Sequence, residues 1–335
     1  MLTLEAIHAH LDALAKPQGS LGKLERVAAR LAFTQQSLSP HTRPRRIVLF
    51  AGDHGVVNSG VSAWPSAVTT AMMATIARGL ASSNALADAS DCDLRLVDMG
   101  SIVPLPEPHP PFMAEQRIAK GTADLAHGPA MTVVQFSAAW EAGADEARAA
   151  VRQGFQILMV GEMGIGNTTP AACLTVLLTG TDAATATGRG AGADDIMRAH
   201  KQAIVASAVA REQGKLDSDP KAAIAALCGF EIAAMAGFYA AAAHSKATIV
   251  LDGYVTTAAA LVAERLAPGT AEQMIAAHLS AEPGHRAALD ALSLEPMLEW
   301  EMRLGEGTGA LTALPLLDAA AALLSKVAML AEVIG

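Results

Sequence analysis

Short apolar runs alternate with longer alanine-rich stretches through most of the chain. The runs lie at residues 47–51, 94–100, 155–164, 247–254 and 273–280, and each meets a glycine or a polar residue. Uninterrupted runs of this length indicate strands that are buried on both faces, and the intervening stretches are typical of helices. Strands that alternate with helices predict a mostly parallel sheet with helices on both faces, which is a Rossmann-like α/β fold.

Both ends of the chain have a helical pattern. Residues 1–38 contain two amphipathic stretches separated by KPQGS, and Ser20 is a suitable N-cap for the second. The stretch from Thr308 to Val333 is largely apolar and helical in pattern. Because these helices precede the first strand and follow the last, we expect them to pack together in a small second layer.

Two segments interrupt the alternation of strands and helices. Residues 103–113, VPLPEPHPPFM, contain too many prolines for a helix or a central strand. This segment is either a surface excursion or an arm that reaches another subunit. Residues 211–223 are polar, and neither segment is long enough to be a linker between independent domains.

Composition and charge exclude several classes of protein. Hydrophobic residues make up 52% of the chain, which suffices for a large core, and the net charge of −9 disfavours nucleic-acid binding. No run reaches eighteen apolar residues and the start lacks a signal-peptide pattern, so we expect a cytoplasmic protein without a membrane partner. Cys92, Cys173 and Cys228 lie too far apart for a zinc site or a disulfide framework, and we interpret them as packing residues.

Glycine and carboxylate residues are concentrated at the ends of the predicted strands. In GEMGIGNTTPA, residues 161–171, the glycines allow close approach of a ligand, and Asn167, Thr168 or Thr169 can cap a following helix. The segment is neither a Walker loop nor a dinucleotide fingerprint, because its glycines have the spacing GxxGxG. We interpret it as a phosphate-binding turn.

A second glycine-rich turn, TGRGAG at residues 187–192, precedes a helical stretch that contains Lys201. Backbone N–H groups and the Lys201 ammonium group could converge on one phosphate, although a simple turn and a surface lysine remain an alternative. The GxGxxA spacing in RLGEGTGA, residues 303–310, has no strand before it, and we interpret this match as accidental. His54 is interpreted as a hydrogen-bonded structural residue, and Asp194 and Asp195 as a solvated helix start.

The chain resembles the nicotinate-nucleotide–dimethylbenzimidazole phosphoribosyltransferases in eight ordered blocks that cover nearly its full length. These blocks are KPQGSLGKLE (16–25), AGDHGVVNSGVSAWPSAVT (51–69), GEMGIGNTTPA (161–171), GRGAG with a later HK (188–201), GFEIAAMAG (229–237), LDGYVTTAAAL (251–261), HLSAEPGH (278–285) and EMRLGEGTGA (301–310). One glycine turn would be weak support, but eight blocks in order make the resemblance specific.

The resemblance implies transfer of the phosphoribosyl group of nicotinate mononucleotide to 5,6-dimethylbenzimidazole, with release of nicotinate and formation of α-ribazole 5′-phosphate. It implies no metal and no other cofactor. Two alternatives remain open from the residues: the same transfer to another acceptor, such as adenine, another benzimidazole or a phenolic compound, and a non-catalytic nucleotide-binding protein. The presence of two carboxylates in the matching blocks disfavours the second alternative.

The resemblance assigns roles to residues at the matching positions. Glu306 matches the general base that takes the benzimidazole proton, and Glu162 matches a second active-site carboxylate. The positions that match the phosphate and ribose contacts are Lys201, Gly188, Gly190, Gly164 and Ser280.

The positions that match the pocket of the aromatic acceptor are Trp64, Met72, Met163, Ile165 and Leu304. For Met72 and Ile165, packing in the core is an equally good interpretation. Trp64 departs from the pattern, since an indole there could narrow the pocket or stack on the acceptor. This departure bears on the preferred acceptor more than on the reaction.

The resemblance also implies an architecture. We expect residues 1–38 and 308–335 to form a small helical domain, and residues 39–307 to form a large α/β domain that carries the active site. The family implies a homodimer, and nothing in the sequence pattern itself indicates one.

Overall fold

The computed structural model describes residues 2–105, 107–190 and 192–334. Met1 and Gly335, at the limits of the predicted helical domain, lie outside the described residues. The same holds for Pro106 of the proline-rich segment and for Ala191 of the TGRGAG turn.

A six-stranded sheet forms the centre of the protein, and every strand pairing among the described residues is parallel. The strands are β1 (Arg45–Gly52), β2 (Asp93–Gly100), β3 (Met113–Glu115), β4 (Ile157–Met163), β5 (Thr248–Leu251) and β6 (Met274–Ala276). Their order across the sheet is β3-β2-β1-β4-β5-β6, the order of a doubly wound α/β fold. The α/β prediction is confirmed.

Five of the six strands coincide with the apolar runs, although β5 and β6 are shorter than their runs. The strand β3 was not expected, because it follows the proline-rich segment directly and has only three residues. It pairs with β2 at the edge of the sheet, where Leu96 N donates to Phe112 O. The prediction that 103–113 forms neither a helix nor a central strand agrees with this, because Met113 is the only described residue of the segment in a strand and that strand is at the edge.

The helices cover both faces of the sheet. Before β4 they are α1 (Leu4–Ala13), α2 (Lys23–Gln35), α3 (Ala67–Ala77), α4 (Ser82–Ala89) and α5 (Val133–Arg152). After β4 they are α6 (Thr168–Thr179), α7 (Ala183–Ala186), α8 (Asp195–Glu212), α9 (Pro220–Ala225), α10 (Phe230–His244), α11 (Tyr254–Leu266), α12 (His285–Ala291), α13 (Thr308–Lys326) and α14 (Leu330–Ile334).

The central strand β1 separates two apolar cores. All of its residues are buried, and successive side chains alternate between the faces. Val48 and Phe50 belong to the core beneath α5, α6, α10 and α11, whereas Ile47 and Leu49 belong to the core beneath α1, α2 and α13. A strand with both faces covered needs an uninterrupted apolar sequence, which explains the run that begins at Ile47.

The helices α5 and α10 cross at unusually close range because each has a glycine at the crossing. A Cβ atom on Gly143 would overlap with Ala234 O, and one on Gly237 would overlap with Trp140 O. The rest of α10 is buried on nearly all sides, which accounts for its apolar sequence FEIAAMAGFYAAAAH. The N-terminus of α10 is thereby held at the carboxyl edge of the sheet.

The helices from the two chain ends pack together on one face of the sheet. Leu11 of α1, Leu31 of α2 and Leu314 of α13 belong to the same apolar core. The assignment of this layer to a separate domain stays a prediction.

Ser20 does not cap α2, because the helix begins at Lys23 and has Gly22 at its N-cap position. By length and composition α13 could cross a membrane, but 56% of the apolar window is buried in the protein, which is typical of a core helix.

The carboxyl ends of β1, β4, β5 and β6 meet at one edge of the sheet. The chain changes direction across the sheet between β1 and β4, and in open α/β sheets ligands bind outside the strand ends at such a switch point. The segments that follow these strands are the blocks that the sequence singled out.

Candidate active site

A cavity of about 290 Å³ opens at this switch point. Eleven of the twelve residues expected at the site line it: Trp64, Met72, Glu162, Met163, Gly164, Ile165, Gly190, Lys201, Ser280, Leu304 and Glu306. Gly188 does not line the cavity. A Cβ atom on Gly188 would overlap with the Glu282 carboxylate, so this glycine makes room for Glu282.

Glu306 lies in a turn of three consecutive left-handed residues, with φ values of +83° at Gly305, +57° at Glu306 and +72° at Gly307. The flanking glycines are required by space as well as by φ. A Cβ atom on Gly305 would overlap with Glu162 Oε1, and one on Gly307 would overlap with Ile47 Cδ1. A non-glycine residue in this conformation is strained, and such residues are concentrated at functional sites.

Asp252, which follows β5, holds the Glu306 turn in place. Its Oδ2 accepts a hydrogen bond from Gly307 N at 3.1 Å, and its Oδ1 accepts from Gly309 N at 2.7 Å and from Ala310 N at 3.0 Å. These N–H groups belong to the first turn of α13 and lack partners within the helix, so the carboxylate caps α13. The cap joins the turn that carries Glu306 to the end of β5.

Glu306 itself is 4% exposed, and its Oε2 accepts a hydrogen bond from Ser83 Oγ at 3.4 Å. Burial raises the pKa of the Glu306 carboxyl group, the Ser83 hydrogen bond opposes this, and the nearby charge of Asp252 adds to it. A carboxylate with a raised pKa accepts a proton more readily than an ordinary one. Glu306 is therefore suited to be a general base.

Glu162, at the end of β4, lies directly against the Glu306 turn. Its Oε2 accepts a hydrogen bond from Asn167 Nδ2. Burial raises the pKa of Glu162 well above its ordinary value, and the charges of Asp252, Glu231 and Glu306 raise it further, whereas Asn167 lowers it. The free site thus favours the protonated form of Glu162, and a cation in the cavity would favour the ionised form.

Lys201 of α8 also lines the cavity. Its ammonium group is almost fully buried and donates to Thr168 Oγ1, at 2.6 Å, at the start of α6. Burial lowers the pKa of Lys201 to about 8, and the charge of Glu282 opposes that shift. A buried cation beside a helix N-terminus is suited to bind a phosphate. Asn167 precedes α6 but does not cap it, because its side chain is bound to Glu162.

Ser280 is positioned by a buried histidine. The backbone N–H of Ser280 donates to His285 Nδ1 at 2.8 Å, and His285 Nε2 lies 2.9 Å from Thr257 Oγ1. Burial lowers the pKa of His285 to about 3, so its imidazole is neutral and its Nδ1 can accept. The Ser280 hydroxyl group is thus held at the wall of the cavity.

The TGRGAG turn is closed by a carboxylate from the chain itself. Gly190 N donates to Glu282 Oε1 at 3.0 Å. One backbone donor that the sequence suggested for a phosphate is therefore bound to Glu282. A donor phosphate has to displace this carboxylate if it is to use Gly190.

The residues predicted for the acceptor pocket give the cavity an apolar part of its lining. Met163 and Ile165 are 8% exposed, whereas Trp64 and Leu304 are 52% and 58% exposed and lie at the mouth. Met72 and Ile165 also pack against the core beneath α13, so they serve both the cavity and the core.

Three contributors to the site were not identified from the sequence: Asp252, Glu282 and Ser83. Asp252 stands in LDGY at the end of a predicted strand, and this position could have signalled it. Glu282 and Ser83 gave no comparable signal, because they reach the site through contacts with residues 92 and 223 positions away in the chain.

Comparisons with known proteins agree with this geometry. A family model described as a phosphoribosyltransferase matches residues 3–333. The nicotinate-nucleotide–dimethylbenzimidazole phosphoribosyltransferase of Mycobacterium marinum is 46% identical over 98% of this chain and 90% of the relative. The enzyme of the same name from Thermus thermophilus is 43% identical over 94% of this chain and 92% of the relative. The crystal structure of CobT from Thermus thermophilus superimposes with a TM-score of 0.94 at 42% identity, covering 98% of both chains.

Proposed function

The chain belongs to this phosphoribosyltransferase family, and we propose that it transfers the phosphoribosyl group of nicotinate mononucleotide to 5,6-dimethylbenzimidazole. The products are α-ribazole 5′-phosphate and nicotinate. One observation carries the proposal: a single cavity is lined by two buried carboxylates, Glu306 and Glu162, by apolar side chains and by the buried Lys201. These are the groups needed for an aromatic base, a ribosyl cation and a phosphate.

In the proposed mechanism Lys201 binds the donor phosphate and the apolar part of the lining holds the flat acceptor. A ring nitrogen of dimethylbenzimidazole forms a bond to C1′ of the ribose while the C1′–N bond to nicotinate breaks, and the bonding electrons return to the pyridine nitrogen. The N–H proton of the acceptor passes to Glu306. No further reactant is needed for this balance.

Glu162 supports the same step through its charge. C1′ carries positive charge in the oxocarbenium-like transition state, and an ionised carboxylate beside it is stabilising. The pyridinium charge of the bound donor opposes the effect of burial and favours ionisation of Glu162. The charge is then in place before the C1′–N bond breaks.

The direct test is incubation of the protein with nicotinate mononucleotide and dimethylbenzimidazole, with nicotinate and α-ribazole 5′-phosphate measured by chromatography. We expect both products in equal amounts. A panel with adenine, other benzimidazoles and phenols tests the alternative acceptors, for which Trp64 at the mouth is the relevant residue. Donor binding without release of nicotinate for any acceptor would favour the non-catalytic alternative.

The pH dependence of turnover tests the role of Glu306. Because the base has to be ionised, activity should fall on the acidic side, and the raised pKa of Glu306 places this fall above the range of an ordinary carboxyl group. Ser83→Ala removes a hydrogen bond to the ionised form, so the fall should move to higher pH. Ser82→Ala changes an exposed neighbour in α4 and should leave the profile as it is. A Ser83→Ala profile that moves to lower pH would contradict this account.

Lys201→Met tests the phosphate end of the cavity. Loss of a charged hydrogen bond should weaken donor binding by roughly 1.5–3 kcal/mol, or roughly 10–150-fold in Kd, measured by calorimetry. Because the pKa of Lys201 is lowered to about 8, wild-type affinity should decrease as the pH rises above that value, and this decrease should vanish in the variant. Lys221→Met, at an exposed lysine of α9, is the control. Equal affinities in wild type and Lys201→Met would exclude Lys201 as the phosphate contact.

We also propose that the protein is a cytoplasmic homodimer. Exposed apolar side chains at and near the cavity, Trp64, Trp300 and Leu304, support a covering partner subunit. The three free cysteines are compatible with a reducing compartment. Sedimentation equilibrium measures the oligomeric state, and a monomer at all concentrations would refute the dimer.

A further inference from the structure

A buried pair of ionisable residues, His54 and Glu231, lies beneath the active site and is not used by the mechanism above. His54 follows β1, and Glu231 is in the first turn of α10. His54 Nε2 is 2.8 Å from Glu231 Oε1, and the two side chains are 1% and 0% exposed. The sequence alone suggested a structural role for His54 and nothing for Glu231.

Four glycines form a slot around this pair. A Cβ atom on Gly52 would lie 2.9 Å from Glu231 Oε2, and one on Gly229 would lie 2.5 Å from His54 Cε1 and 2.6 Å from Glu231 Oε2. On the other side, a Cβ atom on Gly164 would lie 3.1 Å from His54 Nε2, and one on Gly166 would lie 3.7 Å from His54 Cβ. The turn that follows Glu162 and Met163 therefore lies against the segment that carries His54, with Gly164 next to Gly52 O and the imidazole, and Gly166 next to Val57.

The pair is costly for a purely structural element. Within the described part of the chain, neither carboxylate oxygen of Glu231 accepts a hydrogen bond of good geometry, and His54 Nε2 has no such bond either. A buried carboxylate that depends on one imidazole and a helix N-terminus contributes little to stability, and an apolar pair of similar volume would often contribute more. Its charge calls for another explanation.

The charge of Glu231 acts on Glu162. Burial is the first cause of the raised Glu162 pKa, and the charge of Glu231 raises it together with those of Asp252 and Glu306. The other ionisable groups that interact with Glu231 or His54 among the described residues are Asp53 after β1 and Cys228 before α10. Glu231 lies 2.8 Å from its imidazole partner, and that imidazole is next to Gly164 in the turn that follows Glu162.

We propose that His54 and Glu231 are positioning residues, which hold the turn after Glu162 in place and keep a negative charge beneath the Glu162 carboxyl group. This inference rests on the proposed transferase function. His54 supports the backbone at Gly164 and Gly166 from below, and Glu231 fixes the orientation of the imidazole. Neither side chain lines the cavity.

Glu231→Gln keeps the size of the side chain and removes its charge. Because a negative neighbour opposes ionisation, the part of the acidic fall in turnover that belongs to Glu162 should move to lower pH, opposite to the effect of Ser83→Ala. The value of kcat at the plateau should decrease by about 10–100-fold, the scale of a small displacement of a catalytic group. The KM for nicotinate mononucleotide should change little, because Lys201 does not contact the pair.

His54→Ala should lower kcat in the same way, and His54→Gln should restore part of it, because the glutamine amide can fill the slot and donate to Glu231. Glu146→Gln is the matched control. Glu146 is another buried carboxylate, which lies on α5 and does not line the cavity. It pairs with Arg95 of β2 at 2.8 Å. If Glu231→Gln does not fold, the two His54 variants provide the same comparison.

The proposal would be overturned if Glu231→Gln lost thermal stability but had the same pH profile and the same kcat as Glu146→Gln. A measurement that does not depend on turnover tests the role of Glu231 separately from the proposed transferase function. The infrared carbonyl band of protonated Glu162, assigned by its loss in Glu162→Gln, should disappear at lower pH in Glu231→Gln than in wild type. An inactive wild type would refute the transferase function alone, whereas an unmoved infrared band would refute the role of Glu231 alone.

Discussion

Glu306→Gln should reduce kcat by about 10²–10⁴-fold while nicotinate mononucleotide still binds. The amide has the size of the carboxylate and can still accept from Ser83, so the left-handed turn and its cap by Asp252 are retained. It cannot take the acceptor proton. Single-turnover kinetics together with calorimetry of the donor separate the loss of chemistry from a loss of binding.

The control for this variant is Glu301→Gln in the same segment. Glu301 also has a φ of +57°, but it is exposed and does not line the cavity. Its replacement should leave turnover unchanged. Wild-type activity in Glu306→Gln would remove Glu306 as the base, and the proton would then have to pass to another group.

Glu162→Gln is expected to have the second-largest effect, a loss of about 10²–10³-fold in kcat. In the free enzyme the raised pKa of Glu162 favours the protonated carboxyl group, which an amide resembles. Because the bound donor favours the ionised carboxylate, donor affinity should fall slightly, whereas kcat should fall much more, as expected for a charge that stabilises the transition state more than the bound donor. Steady-state kinetics over a range of donor concentrations test this pattern.

Glu115→Gln, at the end of β3 on the same edge of the sheet, is the control for Glu162→Gln. Glu115 is partly exposed and pairs with Arg117 at 3.5 Å. A Glu162→Gln variant that raises KM for the donor without lowering kcat would show that Glu162 binds the ground state of the ribose and does not stabilise the cation.

The sequence predicted the elements whose signals are local. The run at Ile47–Ala51 predicted a strand because a strand that is covered on both faces has to be apolar throughout, and eight ordered blocks identified the family. The strand β3 was not predicted, because three residues that follow several prolines are too few to show a periodic pattern. Only their pairing with β2 makes them a strand.

The parts that sequence reasoning missed depend on contacts between distant segments. Asp252 caps a helix that begins 55 residues or more after it, and the acceptor of the Gly190 N–H is 92 residues away. Glu231, the partner of His54, is on a helix on one face of the sheet, and the turn next to His54 follows β4, so neither is visible near position 54. Such contacts follow from the order of the strands, which the pattern of apolar runs does not determine.

Because Asp252 caps α13, the residues proposed for the site belong to two different parts of the molecule. The proposed donor phosphate site is built on α6 and α8, whereas the proposed base, Glu306, precedes α13, which shares an apolar core with α1 and α2. Changes in the two terminal segments of the chain can therefore shift the base and the acceptor wall at Leu304 while the donor end stays as it is. Substitutions far from the cavity can therefore change which aromatic acceptor fits. Tags fused to either terminus are best separated from these helices by a flexible spacer.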